Sequence, residues 1–304
     1  MENILVTGGK GLVGRCFQGP EYSKFSSSEF DLRNASHTEQ VFQMSNPNGV
    51  IHCAAKVGGV LSNMTQKGEF FYDNILINTN VIEQARRNGV KKLVAFLSTC
   101  VFPNEVEYPL DPKKIHLGPP HTSNDAYAYA KRMGDIQIQA YREQYGVNYF
   151  SVIPTNIYGP GDYYNLENGH VVPTLIHKFF LAQKENKPVV IWGSGKPLRE
   201  FIYSEDVATL TRMLYDNYEG SEPVILTTSQ EISIADLVGI ISEAFNFKGD
   251  IIFDRDKPDG QFRKPSDNSA LMSMYPKFKF TPIEEGIQKS VNWFLENYPT
   301  NTRL

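Results

Sequence analysis

Tyr127-Ala128-Tyr129-Ala130-Lys131 sets a phenol and an ammonium four residues apart. On a helix that spacing places both on one face, so the Lys131 charge can lie beside the Tyr127 phenol. A free phenol titrates near about 10, too high for easy proton exchange at neutral pH. A neighbouring cation favours phenolate, and the same tyrosine can then give a proton to a carbonyl oxygen as hydride arrives. Tyr-x-x-x-Lys alone is common on amphipathic helices. Ser98, at the end of the apolar run Leu93–Leu97, adds a hydroxyl able to bond the same oxygen. Ser98, Tyr127 and Lys131 together form a set suited to carbonyl reduction. Tyr129 faces another side of the helix from Lys131.

A reductase needs a hydride carrier, and the glycine cluster Thr7-Gly8-Gly9-Lys10-Gly11-Leu12-Val13-Gly14 offers a place for one. Gly9, Gly11 and Gly14 satisfy G-x-G-x-x-G, while Gly8, Gly11 and Gly14 satisfy G-x-x-G-x-x-G. In either register the backbone can approach a pyrophosphate seated on a helix N-terminus. The competing reading is a tight turn with no ligand. An acidic residue about 20 positions on would hold the ribose 2′-hydroxyl of NAD. Here that stretch reads Tyr22-Ser23-Lys24-Phe25-Ser26-Ser27-Ser28, with acids only at Glu29 and Asp31. Ser26, Ser27 and Lys10 suit a 2′-phosphate better than a carboxylate would, which points to NADPH/NADP+.

These groups need a frame. Short β-branched runs alternate with helical patterns in the first half, the mark of βαβ units and a parallel sheet. Ile4–Thr7 reads as the first strand, followed by the glycine turn and a helix from about Gly11. Val50–Cys53, Leu93–Leu97 and Asn148–Ile153 read as further strands. Phe70–Asn88 and Asn124–Tyr145 read as long helices, the first with Ile75, Asn78, Thr79 and Ile82 along one side. The expected fold is α/β: a Rossmann-type doubly wound sheet over 1–158, rejoined by a segment near 200–218. A smaller α/β substrate-binding lobe is expected over 159–304. It contains the loop Gly159–Gly169, a strand within Pro188–Gly195 and a helix after Ser233. A strand around Ile251–Phe253 and a helix near Glu284–Tyr298 complete it. Ligands of such sheets bind in the crevice at the carboxyl ends of the strands.

Bulk properties narrow the class. The 304 residues are 41% hydrophobic and 21% charged, an ordinary globular composition. A formal charge of −4 gives no basic footprint for nucleic acid. No apolar run approaches the roughly 20 residues that cross a bilayer. Cys16, Cys53 and Cys100 are too few and too scattered for a disulfide framework, so the expectation is a reduced, cytoplasmic protein.

The ordered segments TGGKGLVG, HCAAKVGGV, STCVFP, YAYAKRMGD, PTNIYGPGDYYNLENGHVVP, WGSGKPLREFIYSEDVA and KPDGQFRK resemble the GDP-L-fucose synthase family of extended short-chain dehydrogenases/reductases. The likeness runs from Asn3 to about Leu295. The glycine turn, Tyr-x-x-x-Lys and Arg199-Glu200-Phe201-Ile202 are generic to extended reductases. Lys56-Val57-Gly58-Gly59, Ser98-Thr99-Cys100 and the stretch from Asn165 to Pro173 with its His170 are more specific.

The resemblance implies a GDP-sugar substrate, GDP-4-keto-6-deoxy-D-mannose, epimerised at C3 and C5 and then reduced at C4 with NADPH. It makes Cys100 the base and His170 the acid. Otherwise Cys100 would be a small buried hydrophobe and His170 a loop hydrogen-bonder. It adds Phe96, Leu97, Thr99, Pro154, Thr155, Asn156 and Ile157 to the cofactor contacts, with His170 across the site. Arg199 and Lys178 would meet the diphosphate, and Trp192 and Asp259 the rest of the GDP-sugar. Related bacterial enzymes more often carry arginine at Lys178, whose bidentate fork lysine lacks. Arg199 has a competing use as an ion-pair partner of Glu200 or Asp206. Gly118-Pro119-Pro120-His121 matches a substrate-side loop and also suits a rigid turn. A homodimer, joined through the two long helices, is implied as well. The rivals are a GDP-colitose synthase, a nucleotide-sugar epimerase without net reduction, and a non-catalytic dinucleotide-binding regulator. A mere binding module has no use for Ser98, Cys100, Tyr127, Lys131 and His170 all at once.

Overall fold

The computed structural model describes residues 2–257 and 259–304. Its elements are, in order, β1 (Ile4–Thr7), β2 (Tyr22–Lys24), α1 (Ala35–Ser45), β3 (Gly49–His52), α2 (Val60–Thr65) and α3 (Lys67–Arg87). Then come β4 (Lys92–Phe96), α4 (Asp125–Tyr145), β5 (Asn148–Pro154), β6 (Asn156–Tyr158), α5 (Val171–Glu185) and β7 (Val189–Trp192). The chain ends with β8 (Leu198–Tyr203), α6 (Ser204–Asn217), β9 (Val224–Leu226), β10 (Glu231–Ser233), α7 (Ile234–Ala244), β11 (Ile251–Asp254), α8 (Ser269–Met274) and α9 (Ile283–Asn297).

β1, β3 and β9 are buried along their whole length, as continuous apolar strands covered on both faces must be. They belong to a six-stranded parallel sheet of order β2-β1-β3-β4-β5-β9. Val41, Phe42, Val81, Ile82 and Ile138 of α1, α3 and α4 cover one face. Val207, Leu210 and Leu214 of α6 cover the other. Strand order reverses between β1 and β3, so a crevice opens at their carboxyl ends. A second core unites Ile176 and Phe179 of α5, Leu237 and Ile241 of α7, and Ile287 and Phe294 of α9. It packs around the small sheets β10-β8-β6 and β11-β7. Ser233 starts α7 through a capping box with Asp236.

One expected element is absent. Instead of a helix from about Gly11, the glycine turn leads to a single 3-10 turn, Gly14–Cys16, and Phe17 is already extended. Gly14 and the pair Gly19-Pro20 leave four residues between them, about one helical turn, too few to sustain a helix. An anion at this turn meets backbone N–H groups without the macrodipole of a long helix behind them.

Candidate active site

A cleft of about 940 Å³ opens at the carboxyl ends of β1, β3, β4 and β5. That is room for a large cofactor with a substrate beside it. One end is the glycine turn. Gly8 has φ +68°, and a Cβ there would come within 2.9 Å of Ala54 N, so the strand can turn so tightly only without a side chain. Lys10, Gly11, Leu12, Val13 and Gly14 line this end along with Gly8. Gly9 does not. It packs against Lys24, whose Cβ would be 2.7 Å from an added Cβ.

Ser26 and Ser27 also line the cleft, but they differ. Ser26 is buried, its N–H donates to Glu29 Oε2 at 2.8 Å, and its hydroxyl bonds Glu29 and Ser28. Those bonds lower the pKa of Glu29. The Ser26 hydroxyl is thus bonded within its own loop, while Ser27 and Lys10 line the cleft beside it.

β4 and α4 carry the middle of the cleft. Phe96, Leu97, Ser98, Thr99, Cys100, Tyr127 and Lys131 line it, as do Pro154, Thr155, Asn156 and Ile157 beyond β5. Lys131 Nζ donates to Phe96 O at 2.7 Å and lies 5.9 Å from the centre of the Tyr127 ring. Burial brings Lys131 down to about 8 and pushes Tyr127 upward. Desolvation, and after it the Cys100 charge, push Tyr127 in the direction that favours the phenol over the phenolate. Below it, His52 Nδ1 meets Thr7 Oγ1 at 2.7 Å and its Nε2 meets Asn78 Oδ1 at 3.1 Å. Burial lowers His52 to about 3, so this link between β1, β3 and α3 is neutral.

The opposite wall comes from loops and from β8. His170 precedes α5 and lines the cleft. It is exposed at the cleft, and desolvation lowers its pKa. Its loop is tied to the first half by Gly59 N–H donating to Asn168 O at 2.7 Å. A Cβ on Gly59 would lie 2.8 Å from Gly169 O, so the two loops meet backbone to backbone. Cys100 is partly exposed, and its Sγ accepts from Asn124 Nδ2 at 2.9 Å. Arg199 lines the cleft and donates to Leu198 O at 2.7 Å. The acids that could have paired with it are engaged elsewhere. Glu200 accepts from Ser266 N at 3.1 Å, and Asp206 from Thr281 N at 2.7 Å.

Three expected substrate contacts lie outside the cleft lining, on an adjoining shelf. Lys178 Nζ and Lys257 Nζ sit 5.5 and 5.6 Å from the centre of the exposed Trp192 ring. Asp259 accepts from Ser194 N at 2.8 Å and Ser194 Oγ at 2.6 Å. Sequence reasoning missed several lining residues: Lys56, Asn124, Asp162, Lys264 and Arg303. Lys56, Asp162 and Lys264 stood inside quoted motifs without being assigned to the cleft. Asp162 is buried, its carboxyl pushed up to about 7 by desolvation, and Oδ2 has no partner among the described residues. No spacing signals such a group.

A model of the NAD dependent epimerase/dehydratase family matches residues 4–226. GDP-L-fucose synthase of Dictyostelium discoideum is 49% identical over 98% of this chain and 96% of that protein. Probable GDP-L-fucose synthase of Drosophila melanogaster is 42% identical over 98% of each. A crystal structure of a GDP-L-fucose synthetase from Naegleria fowleri bound to NADP superposes with TM-score 0.94 at 44% identity, covering 100% of this chain and 95% of that one. The chain belongs to the NAD-dependent epimerase/dehydratase family and, within it, to the GDP-L-fucose synthases.

Proposed function

We propose that this protein is an NADPH-dependent GDP-L-fucose synthase. It converts GDP-4-keto-6-deoxy-D-mannose by epimerisation at C3 and C5 and reduction at C4. The observation that carries the reading is the single cleft on which the glycine turn, Ser98, Tyr127, Lys131, Cys100 and His170 converge.

The residues fit the dinucleotide: the Gly8–Gly14 turn would hold the pyrophosphate, Lys10 and Ser27 the 2′-phosphate, and Pro154–Ile157 the nicotinamide side. Bound there, NADPH supplies the hydride for C4. The C4 ketone acidifies the C3 and C5 protons. Cys100 Sγ takes one, the C–H electron pair moves into the enolate, and His170 protonates the carbon from the opposite side. Desolvation helps, since a lowered pKa makes the imidazolium a better donor. The Cys100 thiol and neutral His170 then exchange protons with solvent to reset. Tyr127 donates to O4 during reduction, with Ser98 bonding the same oxygen. Lys131, held on Phe96 O, stabilises the phenolate left behind. Arg199 binds the diphosphate, and the shelf of Lys178, Trp192 and Asp259 binds the rest of the GDP portion.

The protein acts as a cytoplasmic homodimer. Its support is the set of exposed apolar side chains on the two long helices, Phe71 and Tyr72 on α3 and Met133 and Ile136 on α4. The division into a 1–158 cofactor domain and a 159–304 substrate lobe is supported by the two separate cores, with α6, β9 and α8 of the second half returning to the first.

The test is product identity. Protein incubated with the keto-sugar and NADPH in D₂O should yield GDP-L-fucose carrying deuterium at C3 and C5, read by NMR. Cys100→Ser should release reduced sugar with unfinished stereochemistry, since a hydroxyl is a far poorer base precursor than a thiol. Pure GDP-L-fucose from Cys100→Ser would remove Cys100 from its role.

A further inference from the structure

The β4 ladder ends at Phe96, and Leu97 N–H adds one more bond, to Val152 O at 2.9 Å. Ser98 and Cys100 stand beyond it. The 3-10 turn Thr99–Val101 closes through Val101 N–H to Ser98 O at 3.0 Å, which fixes the shape of the turn and not its place. Side chains from outside set the place, and α4 with its cap supplies three of them. Lys131 Nζ holds Phe96 O ahead of the turn at 2.7 Å, and Asn124 Nδ2 reaches Cys100 Sγ at 2.9 Å. Arg132 Nε donates to Val101 O at 2.7 Å and so closes the far end.

Arg132 also reaches further. Its Nη1 donates to Gly118 O at 2.8 Å, at the start of the Gly118-Pro119-Pro120-His121 loop. The chain after the turn meets that loop again where Asn104 N–H donates to Pro119 O at 2.8 Å. One planar guanidinium therefore joins α4, the Cys100 turn and the loop, a task that needs several donors in a fixed fork. Arg132 is 5% exposed, and burying a charge is costly. An apolar side chain would fill the space without that cost, so the two carbonyl bonds are what the guanidinium contributes.

We propose that Arg132 is a positioning residue for the Cys100 base. It registers the Cys100 turn against α4, so that the thiol and the Tyr127 phenol address neighbouring carbons of one sugar. This rests on the reading of Cys100 as the epimerising base. Tyr127 rides on the helix itself, and Ser98 is held from the Lys131 side, so the loss of Arg132 should fall on epimerisation more than on reduction.

Arg132→Met keeps most of the stem and removes both bonds, while Arg132→Lys keeps the charge without the fork. Both are tested as the full chain with the keto-sugar and NADPH in D₂O. Arg132→Met should lower deuterium exchange at C3 and C5 by roughly 10–10²-fold, the scale for misplacing a reacting group by about 1 Å, and NADPH oxidation by less than about threefold. Reduced sugar with unfinished stereochemistry should accumulate, with the KM for the keto-sugar near normal. Arg132→Lys should recover part of the exchange, and it is the variant to read if Arg132→Met does not fold. A residue needed only for folding would lower both rates by one factor and leave pure GDP-L-fucose, which would overturn the proposal. In a Cys100→Ser background, Arg132→Met should reduce exchange by less than about twofold more, because both changes act through one group. Losses that multiply would place the action of Arg132 elsewhere and overturn it too. Full exchange in Cys100→Ser alone would instead sink the base assignment, while the product pattern of the Arg132 variants would show separately whether the register of the turn matters.

Discussion

The two walls of the cleft are built differently. The sheet wall, from the glycine turn through Ser98 to Tyr127 and Lys131, stands on strands whose residues Ile4, Val6, Ile51 and Val94 are all 0% exposed. The second wall, with His170 and Lys264 on loops and Arg199 on β8, is tied across by a few backbone bonds. Among them are Gly59 N to Asn168 O at 2.7 Å and Leu110 N to Pro265 O at 2.9 Å. Close packing fixes the first wall collectively, so no single contact decides its geometry. The second depends on contacts that one substitution can break. Hydride delivery, which needs a rigid donor, is assigned to the first wall. Proton transfer from both sides of the sugar needs the two walls together.

Three changes probe that contrast. Tyr127→Phe alters the sheet wall without disturbing its packing. It should cut NADPH oxidation by roughly 10²–10⁴-fold, the usual worth of a positioned acid, while C3 and C5 exchange in D₂O continues. Loss of both activities together would mean that the walls do not divide the work. Gly59→Val puts a side chain between the walls, against Gly169 O. At a cost of about 1–3 kcal/mol for the forced overlap, it should lower exchange by roughly tenfold and leave NADPH affinity, measured by fluorescence titration, near normal. Equal losses in both would show that the second wall is coupled to the glycine turn.

The smallest effect concerns the polar link under the sheet wall. His52 is depressed to about 3 in the folded chain, against an ordinary value near 6.5. Between those values the unfolded chain binds the proton and the folded chain does not. Stability is therefore full above about pH 6.5 and falls as pH drops towards 3, by up to about 1.4 kcal/mol per pH unit. His52→Gln cannot titrate. Its melting temperature should drop less than that of the unmodified protein between pH 6.5 and 4.5. Parallel melting curves would show that His52 does not carry this acid sensitivity.

Much of the molecule was legible from local rules. Ile4–Thr7 was readable because a buried parallel strand is a continuous apolar run, and α7 because Ser233 and Asp236 form a capping box. Tyr127, Lys131 and Ser98 were readable because helix spacing and a strand end fix where they point. The missing helix after Gly11 failed that reading: its glycines were legible, but its length was limited by Gly19-Pro20. The bond from the Ser26 hydroxyl to Glu29 was not legible, because a serine in a polar loop shows no partner until the loop is folded.

The sequence by itself determined the chemistry available: the glycine turn, the phenol–ammonium pair and a thiol two residues after a hydroxyl. These are short-range patterns, and the backbone turns that lists of neighbouring residues into faces. Tertiary structure alone decided which groups share a desolvated space. It set Lys264 beside Thr99, 165 residues away in the chain, and left Asp162 buried at the cleft with an oxygen that has no partner among the described residues. It also buried the Tyr127 phenol, which raises its pKa. Desolvation depends on every atom packed around a group, and no spacing along the chain encodes that sum.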